Sequence, residues 1–249
     1  MSLPEIIAHR GASHAAPENT SSAVRLAWAE GADAVEADFR LTADGHIVAI
    51  HDETTGRVAG LDHVVAETTL AELKRLDVGR WKDACFAGER LATLAELLST
   101  VPDGRRFLAE IKCGDEIVPQ LARCLIESGK SAEQLVVISY NTDVLRGTKR
   151  LLPEVCTYLV AKFEQAKGRW TPTADDLVER AEQYSLDGLA LKAQAPIDAD
   201  FVHRVKAARL TLCTWTVDEF PLARRLIQAG VDGIITSRPA DLRAELTSC

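Results

Sequence analysis

The chain has 249 residues, of which 47% are hydrophobic and 27% charged, and its formal net charge is -8. A chain of this length buries about 70% of its unfolded surface, which is enough for one large core, so we expect a single domain over residues 1–249. The acidic balance and the lack of Lys/Arg runs argue against a nucleic acid or an anionic membrane as the partner.

The start of the sequence has neither the basic nor the apolar segment of an export signal, and no apolar run approaches the ~18 residues of a membrane-spanning helix. The cysteines show no CxxC spacing and lie mostly in apolar contexts, so we interpret them as reduced core residues. They are Cys85, Cys113, Cys124, Cys156, Cys213 and Cys249. These features predict a soluble, cytoplasmic protein without stable membrane association.

The predicted elements alternate short strands with longer helices along most of the chain. Strands are expected at 5–8, 34–41, 107–112, 135–139, 155–160, 187–191, 210–215 and 232–236. Helices are expected at 20–30, from 93 onward, and at 116–128, 144–152, 174–184, 198–208 and 219–229. The stretch at about 53–92 is irregular, and we interpret it as a small insertion after the second strand.

Alternation of strand and helix predicts parallel strands, and eight such units fit the α/β class as a closed (β/α)8 TIM barrel. An open doubly wound sheet is the alternative architecture. The sequence contains no Gly-rich phosphate loop of the kind that usually accompanies it.

Two carboxylates lie on one face of the predicted strand at 34–41. Period-two alternation places Glu36 and Asp38 on the same face, and a turn followed by a short apolar run brings His51 and Asp52 beside them. A solvated strand face is the plain alternative. Like charges at this spacing repel each other, however, and a divalent cation with hard oxygen ligands would offset that repulsion.

Catalytic groups of a (β/α)8 barrel lie at the carboxyl ends of its strands. Polar or aromatic side chains occupy most of the predicted strand ends, namely His9, Arg10, Glu36, Asp38, Glu110, Lys112, Ser139, Lys192 and Trp215. Lys192 is a candidate pocket residue, and Trp215 is expected to serve either as core or as a substrate platform.

Several motifs occur in a fixed order along the chain. They are His9-Arg10-Gly11, Glu18-Asn19-Thr20, Gly31-Ala32-Asp33, Glu36-x-Asp38, Thr42-x-Asp44-Gly45, His51-Asp52, Glu110-x-Lys112, Trp215-Thr216-Val217 and Gly230-Val231-Asp232-Gly233-Ile234. In this combination the chain resembles the glycerophosphodiester phosphodiesterase family over nearly its whole length. The family is a (β/α)8 barrel with a small insertion after the His-Asp motif, where the irregular stretch lies.

The resemblance implies a metal-dependent hydrolase. Glu36, Asp38 and Glu110 match the family's ligands for one divalent cation, Mg²⁺ or Ca²⁺, and His9 and His51 match its paired acid–base histidines. Attack on a phosphodiester needs a Lewis acid and two proton-transferring groups, and histidine suits the second role near neutral pH. In the family a glycerol hydroxyl attacks phosphorus, an alcohol leaves, and water opens the resulting cyclic phosphate.

The resemblance also implies a small-molecule glycerophosphodiester as the partner. Arg10 and Lys112 match the family's phosphate-side cations, and Trp215 is a candidate substrate contact. The alternative to a functional role for Glu110 and Lys112 is a simple ion pair within the strand. The oligomeric state stays open, a homo-oligomer included.

Four positions depart from the family pattern. The family often has Asn where this chain has Asp218, an acid where it has Ser237, and Phe where it has Tyr140. Ala92 stands where the family has Pro, a change that we regard as structurally minor. None is a proposed metal ligand. The sequence therefore leaves the preferred headgroup alcohol undecided.

Two rival functions are a phospholipase D-like enzyme that acts on lysophospholipid or sphingolipid, and a non-catalytic binding barrel. The first should display apolar loops for membrane docking, whereas the insertion looks polar. The second should have lost a histidine or an acid. The other four histidines, His14, His46, His63 and His203, are assigned to the surface or to packing.

Overall fold

The computed structural model describes residues 3–166, 168–193 and 197–247. Eight parallel strands close into a barrel, because the first strand pairs with both the second and the last. These are β1 (Glu5–His9), β2 (Ala34–Leu41), β4 (Arg106–Ile111), β5 (Leu135–Ser139), β6 (Cys156–Ala161), β9 (Gly188–Lys192), β10 (Thr211–Trp215) and β11 (Gly233–Thr236). The predicted (β/α)8 barrel is confirmed.

Three short strands lie outside the barrel ring. β3 (Ile47–Ala49) pairs antiparallel with the end of β2, and β7 (Glu164–Ala166) forms a hairpin with β8 (Arg169–Thr171). The sequence analysis predicted the apolar run of β3 but not the hairpin.

Helices connect the strands. They are α1 (Ser21–Ala29), α2 (Gly56–Ala59), α3 (Leu70–Leu73), α4 (Leu94–Leu98), α5 (Val118–Glu127), α6 (Thr142–Leu151), α7 (Ala174–Gln183), α8 (Ala199–Ala207), α9 (Phe220–Ala229) and α10 (Pro239–Thr247). Thr20 and Thr93 cap α1 and α4, since each threonine side chain accepts a hydrogen bond from a backbone amide of the first turn. The last helix, α10, was not predicted. No helix in the described ranges is long and apolar enough to cross a membrane.

The two faces of β2 enter different environments. Val35, Ala37 and Phe39 belong to the apolar layer between barrel and helices, whereas Ala34 joins the apolar interior of the barrel. Since side chains alternate along a strand, Glu36 and Asp38 share the face of Ala34 and lie further toward the carboxyl end of the barrel interior. The predicted division of the two faces is therefore confirmed.

The segment between β3 and α4 builds a small apolar cluster of its own. Its buried members are Val48, Ile50, Val58, Val65, Leu73, Leu76, Val78 and Leu91. Glu89 accepts a hydrogen bond from the Ser22 backbone amide at the start of α1, and Lys82 donates one to the carbonyl of Ser13. These contacts hold the segment against the barrel. Its assignment as an insertion into one domain over 1–249 stays a prediction.

The interpretation of the cysteines as core residues is correct only in part. Cys213 is buried in the barrel interior, Cys113, Cys124 and Cys156 are partly buried, and Cys85 is exposed. Cys85 lies in a single helical turn whose cap is the polar side chain of Asp83, so its surroundings keep it at the surface. All five are free thiols, and Cys249 lies outside the described residues.

Candidate active site

Three buried carboxylates meet at the carboxyl end of the barrel. Glu36 and Asp38 come from β2 and Glu110 from β4, where the register pairs Asp38 with Glu110. One oxygen of each carboxylate lies within 4.8 Å of an oxygen of the other two. Three like charges buried so closely are costly unless cations compensate them.

The carboxylate oxygens are only partly satisfied by the protein. Oε2 of Glu36 accepts a hydrogen bond from the backbone amide of Arg10 at 3.0 Å. Among the described residues, Oε1 of Glu36 is buried without a hydrogen-bond partner, and the buried Oδ1 of Asp38 has only the Lys112 ammonium beside it. An unpaired buried carboxylate oxygen, together with an all-oxygen donor set, fits a hard metal ion, so this cluster can hold one.

The three carboxylates differ in protonation. Burial and the nearby Asp38 raise the pKa of Glu110 to about 7. The pKa of Glu36 is also raised, first by burial and then by Asp38 and Glu110. Burial alone would raise the pKa of Asp38, but the charges of Arg10 and Lys112 lower it to about 2. Asp38 is therefore the permanent anion of the cluster.

Two cations account for the charge on Asp38. Arg10 Nε lies 2.9 Å from Oδ2 of Asp38, and Lys112 Nζ lies 3.0 Å from Oδ1 and also contacts Glu110. Asn19 donates to Oδ2 and accepts the Asp38 backbone amide, each at 3.0 Å. The ion pair between Glu110 and Lys112 is thus real, and it is part of a larger network that includes Asp38.

The two histidines differ in depth. His9 ends β1, its side chain is 18% exposed, and its Nε2 lies 4.0 Å from Oε2 of Glu36. Burial and the charge of Arg10 lower the pKa of His9 to about 4, so its imidazole is neutral at pH 7. The His51 side chain is 37% exposed, and its Nδ1 lies 2.7 Å from Oδ1 of Asp52. An imidazole anchored at Nδ1 keeps Nε2 for proton exchange.

Backbone pairing brings His51 to the acidic cluster. The amide of Ile50 donates to the carbonyl of Asp38 at 2.9 Å, so the chain leaves β3 beside the end of β2. The structure therefore brings His51 near Asp38, as the sequence predicted.

An aromatic wall adjoins Lys112. The Tyr140 ring centroid lies 5.9 Å from Lys112 Nζ and 6.3 Å from the Trp215 ring, which it meets edge to face. Trp215 Nε1 donates to the carbonyl of Ala190 at 2.9 Å, which fixes the indole ring at the end of its strand. Lys192 pairs with Trp215 in strand register, and no ion pair or hydrogen bond within the described ranges joins it to the acidic cluster.

Two departures from the family pattern lie against each other. Oδ1 of Asp218 accepts hydrogen bonds from Thr236 Oγ1 at 2.9 Å and from the Ser237 amide at 2.8 Å, and Ser237 Oγ contacts Oδ2. Asp218 thus binds Ser237, which stands where the family often has an acid. Because Thr236 pairs with Ala8 in the register of β11 and β1, this pair lies next to the strand that carries His9.

A cavity of about 430 Å³ opens beside Lys112. The end of β2, the segment after β3 and the loop after β4 enclose it. Its charged lining residues are Arg40, Glu53, Lys112 and Glu116, and its apolar ones include Leu41 and Val64. Lys112, which contacts Asp38 and Glu110, thus also lines this cavity.

The site includes a residue that sequence reasoning missed. Arg57 of α2 contacts both Glu18 and Asp52, residues that belong to the quoted motifs. Nothing in the local pattern around Arg57 distinguishes it from a solvated cation. Its position six residues after His51 is the one signal that could have suggested it.

Comparison with known proteins extends this picture. A model of the "Glycerophosphoryl diester phosphodiesterase family" matches residues 9–241. A glycerophosphodiester phosphodiesterase of Caldanaerobacter subterraneus subsp. tengcongensis is 37% identical, and the match covers 95% of each chain.

Solved structures agree with the sequence comparison. A phosphodiesterase of Oleispira antarctica, in complex with the product sn-glycerol-3-phosphate, is 28% identical with a TM-score of 0.84, and 98% of this chain and 97% of that one are covered. A glycerophosphodiester phosphodiesterase of Thermotoga maritima is 26% identical with a TM-score of 0.78, and 99% of each chain is covered.

Proposed function

The chain belongs to the glycerophosphoryl diester phosphodiesterase family and is therefore a phosphoric diester hydrolase, and we propose that it cleaves glycerophosphodiesters with one divalent cation and two histidines. The observation that carries this proposal is the buried trio of Glu36, Asp38 and Glu110, in which Oε1 of Glu36 has no hydrogen-bond partner among the described residues. The products are glycerol phosphate and an alcohol. Membership of this enzyme family argues against the second rival function, a non-catalytic binding barrel.

The three carboxylates would hold Mg²⁺ or Ca²⁺, since both ions prefer oxygen ligands. When bound, the cation supplies a Lewis acid that polarises a phosphoryl oxygen. Arg10 and Lys112 border the same carboxylates and carry charge complementary to a phosphodiester. They bind its oxygens and orient the phosphorus above the acidic cluster.

His9 and His51 carry the protons. One imidazole accepts the proton of the attacking hydroxyl, and the other donates a proton to the oxygen of the leaving alcohol. The neutral His9 and the Asp52-anchored His51 lie in different surroundings, which suits unlike roles. A leaving group that departs without a proton distinguishes the two roles, because only the variant that lacks the acid should recover on it.

The alcohol portion of the substrate occupies the cavity beside Lys112. The volume of about 430 Å³ accommodates a small polar headgroup, and the mixed charges of Arg40 and Glu53 suit a polar or zwitterionic one. Arg40 is held by a hydrogen bond from its Nε to the carbonyl of His51 at 3.0 Å. Substitution of Arg40 by Ala should therefore change the order of preference among headgroups more than it changes the rate on the best one.

A substrate panel tests the proposed function. Glycerophosphocholine, glycerophosphoethanolamine, glycerophosphoglycerol and bis(p-nitrophenyl) phosphate are assayed after chelation, and then with added Mg²⁺ or Ca²⁺. We expect glycerol phosphate from the glycerophosphodiesters, loss of activity on chelation, and recovery with at least one cation. Full activity in the presence of chelator, or turnover of the synthetic diester alone, would contradict the proposal.

A further inference from the structure

One arginine links the two halves of the candidate site. Arg57 lies on α2, in the segment between β3 and α4. Its Nε donates to Oδ2 of Asp52 at 2.5 Å, and its two terminal nitrogens donate to Oε2 and Oε1 of Glu18 at 2.9 and 2.7 Å. All three guanidinium nitrogens are therefore engaged with carboxylates.

Each of these carboxylates holds a functional group on its other side. Asp52 binds Nδ1 of His51 at 2.7 Å. Glu18 accepts a hydrogen bond from Arg10 at 2.8 Å, and Arg10 Nε approaches Asp38. A continuous chain of charged contacts thus runs from His51 to the acidic cluster, with Arg57 at its centre.

The geometry requires a guanidinium. A planar fork can bind Glu18 through two parallel hydrogen bonds and still present Nε to a second carboxylate, whereas a lysine ammonium is a point charge. The hydrogen bonds that Arg57 donates to Glu18 are the main reason that the pKa of Arg57 is raised. Burial acts in the opposite direction, and the hydrogen bond to Asp52 raises the pKa further, so the charge of Arg57 is permanent. Arg57 is 44% exposed and Glu18 only 14%, so the network extends from the surface into the site.

Without Arg57 the two carboxylates would lose their shared cation. Asp52 would then be free to leave His51, and Glu18 would retain Arg10 alone and could rotate toward solvent. The first change would displace His51 and the second would displace Arg10, although both side chains would still be present. Displacement of a reacting group by about 1 Å can cost on the order of 10²-fold in rate.

We propose that Arg57 is a positioning residue that orients His51 through Asp52 and Arg10 through Glu18. This inference rests on the proposed function, because it takes His51 as an acid or base and Arg10 as a phosphate contact. It also gives the segment after β3 a task in catalysis, since α2 supplies the cation that joins the two sides of the site.

The first experiment measures kcat and KM on glycerophosphocholine for three arginine variants. Arg57→Ala should lower kcat/KM by roughly 10²-fold, and Arg57→Lys should lie between Ala and the unaltered enzyme because lysine restores only part of the contacts. Low-millimolar guanidinium should rescue Arg57→Ala by several-fold. Arg80→Ala is the matched control, since the exposed Arg80 lies in the same segment and its side chain pairs, among the described residues, only with Asp77 at 3.6 Å.

The second experiment tests the route of action by double mutation. Arg57→Ala is combined with His51→Ala and, separately, with Arg10→Ala, and the rates are measured on glycerophosphocholine, whose leaving alcohol needs a proton. The factor lost through Arg57→Ala should be smaller in each background than in the unaltered enzyme, because one partner has already gone. An unchanged factor in either background would overturn the corresponding link.

The outcomes separate the two proposals. If His51→Ala and Arg10→Ala keep full activity, the proposed function is wrong at those residues. If both lose activity while Arg57→Ala keeps it, only the positioning role is overturned. Arg57→Lys covers the case in which the alanine variant fails to fold, because full activity of a folded Arg57→Lys would by itself reject the need for a guanidinium at this position.

Discussion

His9 Nε2 lies 4.0 Å from Oε2 of Glu36, so a candidate proton-transfer group and a candidate metal ligand adjoin each other. The same oxygen accepts the backbone amide of Arg10. Glu36 therefore lies where the metal, acid–base and phosphate functions of the proposed mechanism meet.

Glu36→Gln should weaken cation binding and lower activity together. The amide keeps the size of the side chain but removes the charge, so we expect the Kd for Mg²⁺ or Ca²⁺ to rise at least ~10-fold, the scale found even for outer-shell partners. Calorimetry and the diester assay measure the two effects. Glu179→Gln, an exposed change on α7, is the control, and unaltered cation affinity in Glu36→Gln would contradict the metal assignment.

Removal of either histidine should be severe but should respond differently to the leaving group. His9→Ala and His51→Ala should each lower kcat by at least ~10²-fold on glycerophosphocholine. The variant that lacks the acid should recover partly on the p-nitrophenyl diester of glycerol phosphate, which keeps the attacking glycerol hydroxyl and whose p-nitrophenol leaves without a proton. The variant that lacks the base should not recover. His203→Ala, on the exposed side of α8, should be unaffected. An identical response of both variants would mean that one histidine is not an acid or base.

Cation binding should tighten as the pH rises through 7. In the cation-free protein the pKa of Glu110 is raised to about 7, mainly by burial and Asp38, so the carboxyl group holds its proton below that pH. A cation requires the ionised form, and binding therefore releases protons. Calorimetry at pH 7 in two buffers of different ionisation enthalpy should show this release, and Glu110→Gln should reduce it. A Kd that is constant from pH 6 to 8 would contradict the expectation.

The barrel and its acidic cluster could be predicted because both depend on local periodicity. Alternation along β2 places Glu36 and Asp38 inward, and the register of parallel neighbours then brings Glu110 to the same level. The left-handed backbone at Arg10, φ 57°, could not be read from the sequence, although it turns the chain so that the Arg10 amide meets Glu36.

Long-range contacts set the limit of sequence prediction. Arg57 acquires its role only because α2 folds back onto Glu18, 39 positions away, and no pattern around either residue encodes that contact. The β7–β8 hairpin was missed for a related reason, since its two three-residue strands are too short for an alternation pattern. The motifs include Glu18, but its contacts became clear only from the structure, where it lies between Arg10 and Arg57.

The enzyme should prefer water-soluble diesters to bilayer substrates. The acidic net charge disfavours anionic membranes, yet the segment after β3 exposes Leu61, Val64 and Trp81, which is the feature that would favour a phospholipase D-like activity. We expect little co-sedimentation with vesicles and slower turnover of bilayer lysophospholipid than of glycerophosphocholine. Faster turnover of the lipid, reduced by Trp81→Ala but unaffected by Leu3→Ala, would instead support the lipid-acting alternative.

Gly11→Ala should damage both folding and catalysis, because Gly11 supports the turn that presents Arg10. Its φ is +79°, and an added Cβ would lie 2.5 Å from the carbonyl carbon of Ala23, a fixed backbone atom of α1. The turn would have to move away from α1, and the adjacent Arg10 would move with it. We expect a clear loss in Tm and a fall in kcat/KM on the order of 10²-fold.

The Gly31→Ala variant distinguishes backbone strain from displacement of the turn that presents Arg10. Gly31 has nearly the same φ, +78°, but, its chain neighbours aside, no atom in the part of the chain that the structure describes lies within 4 Å of the added Cβ. It should therefore cost only about 1–2 kcal/mol of left-handed strain in the free energy of unfolding, with kcat/KM unchanged. Thermal melts and the diester assay on both variants make the comparison. Equal losses of stability and activity in the two would show that close packing against α1 does not hold Arg10 in place.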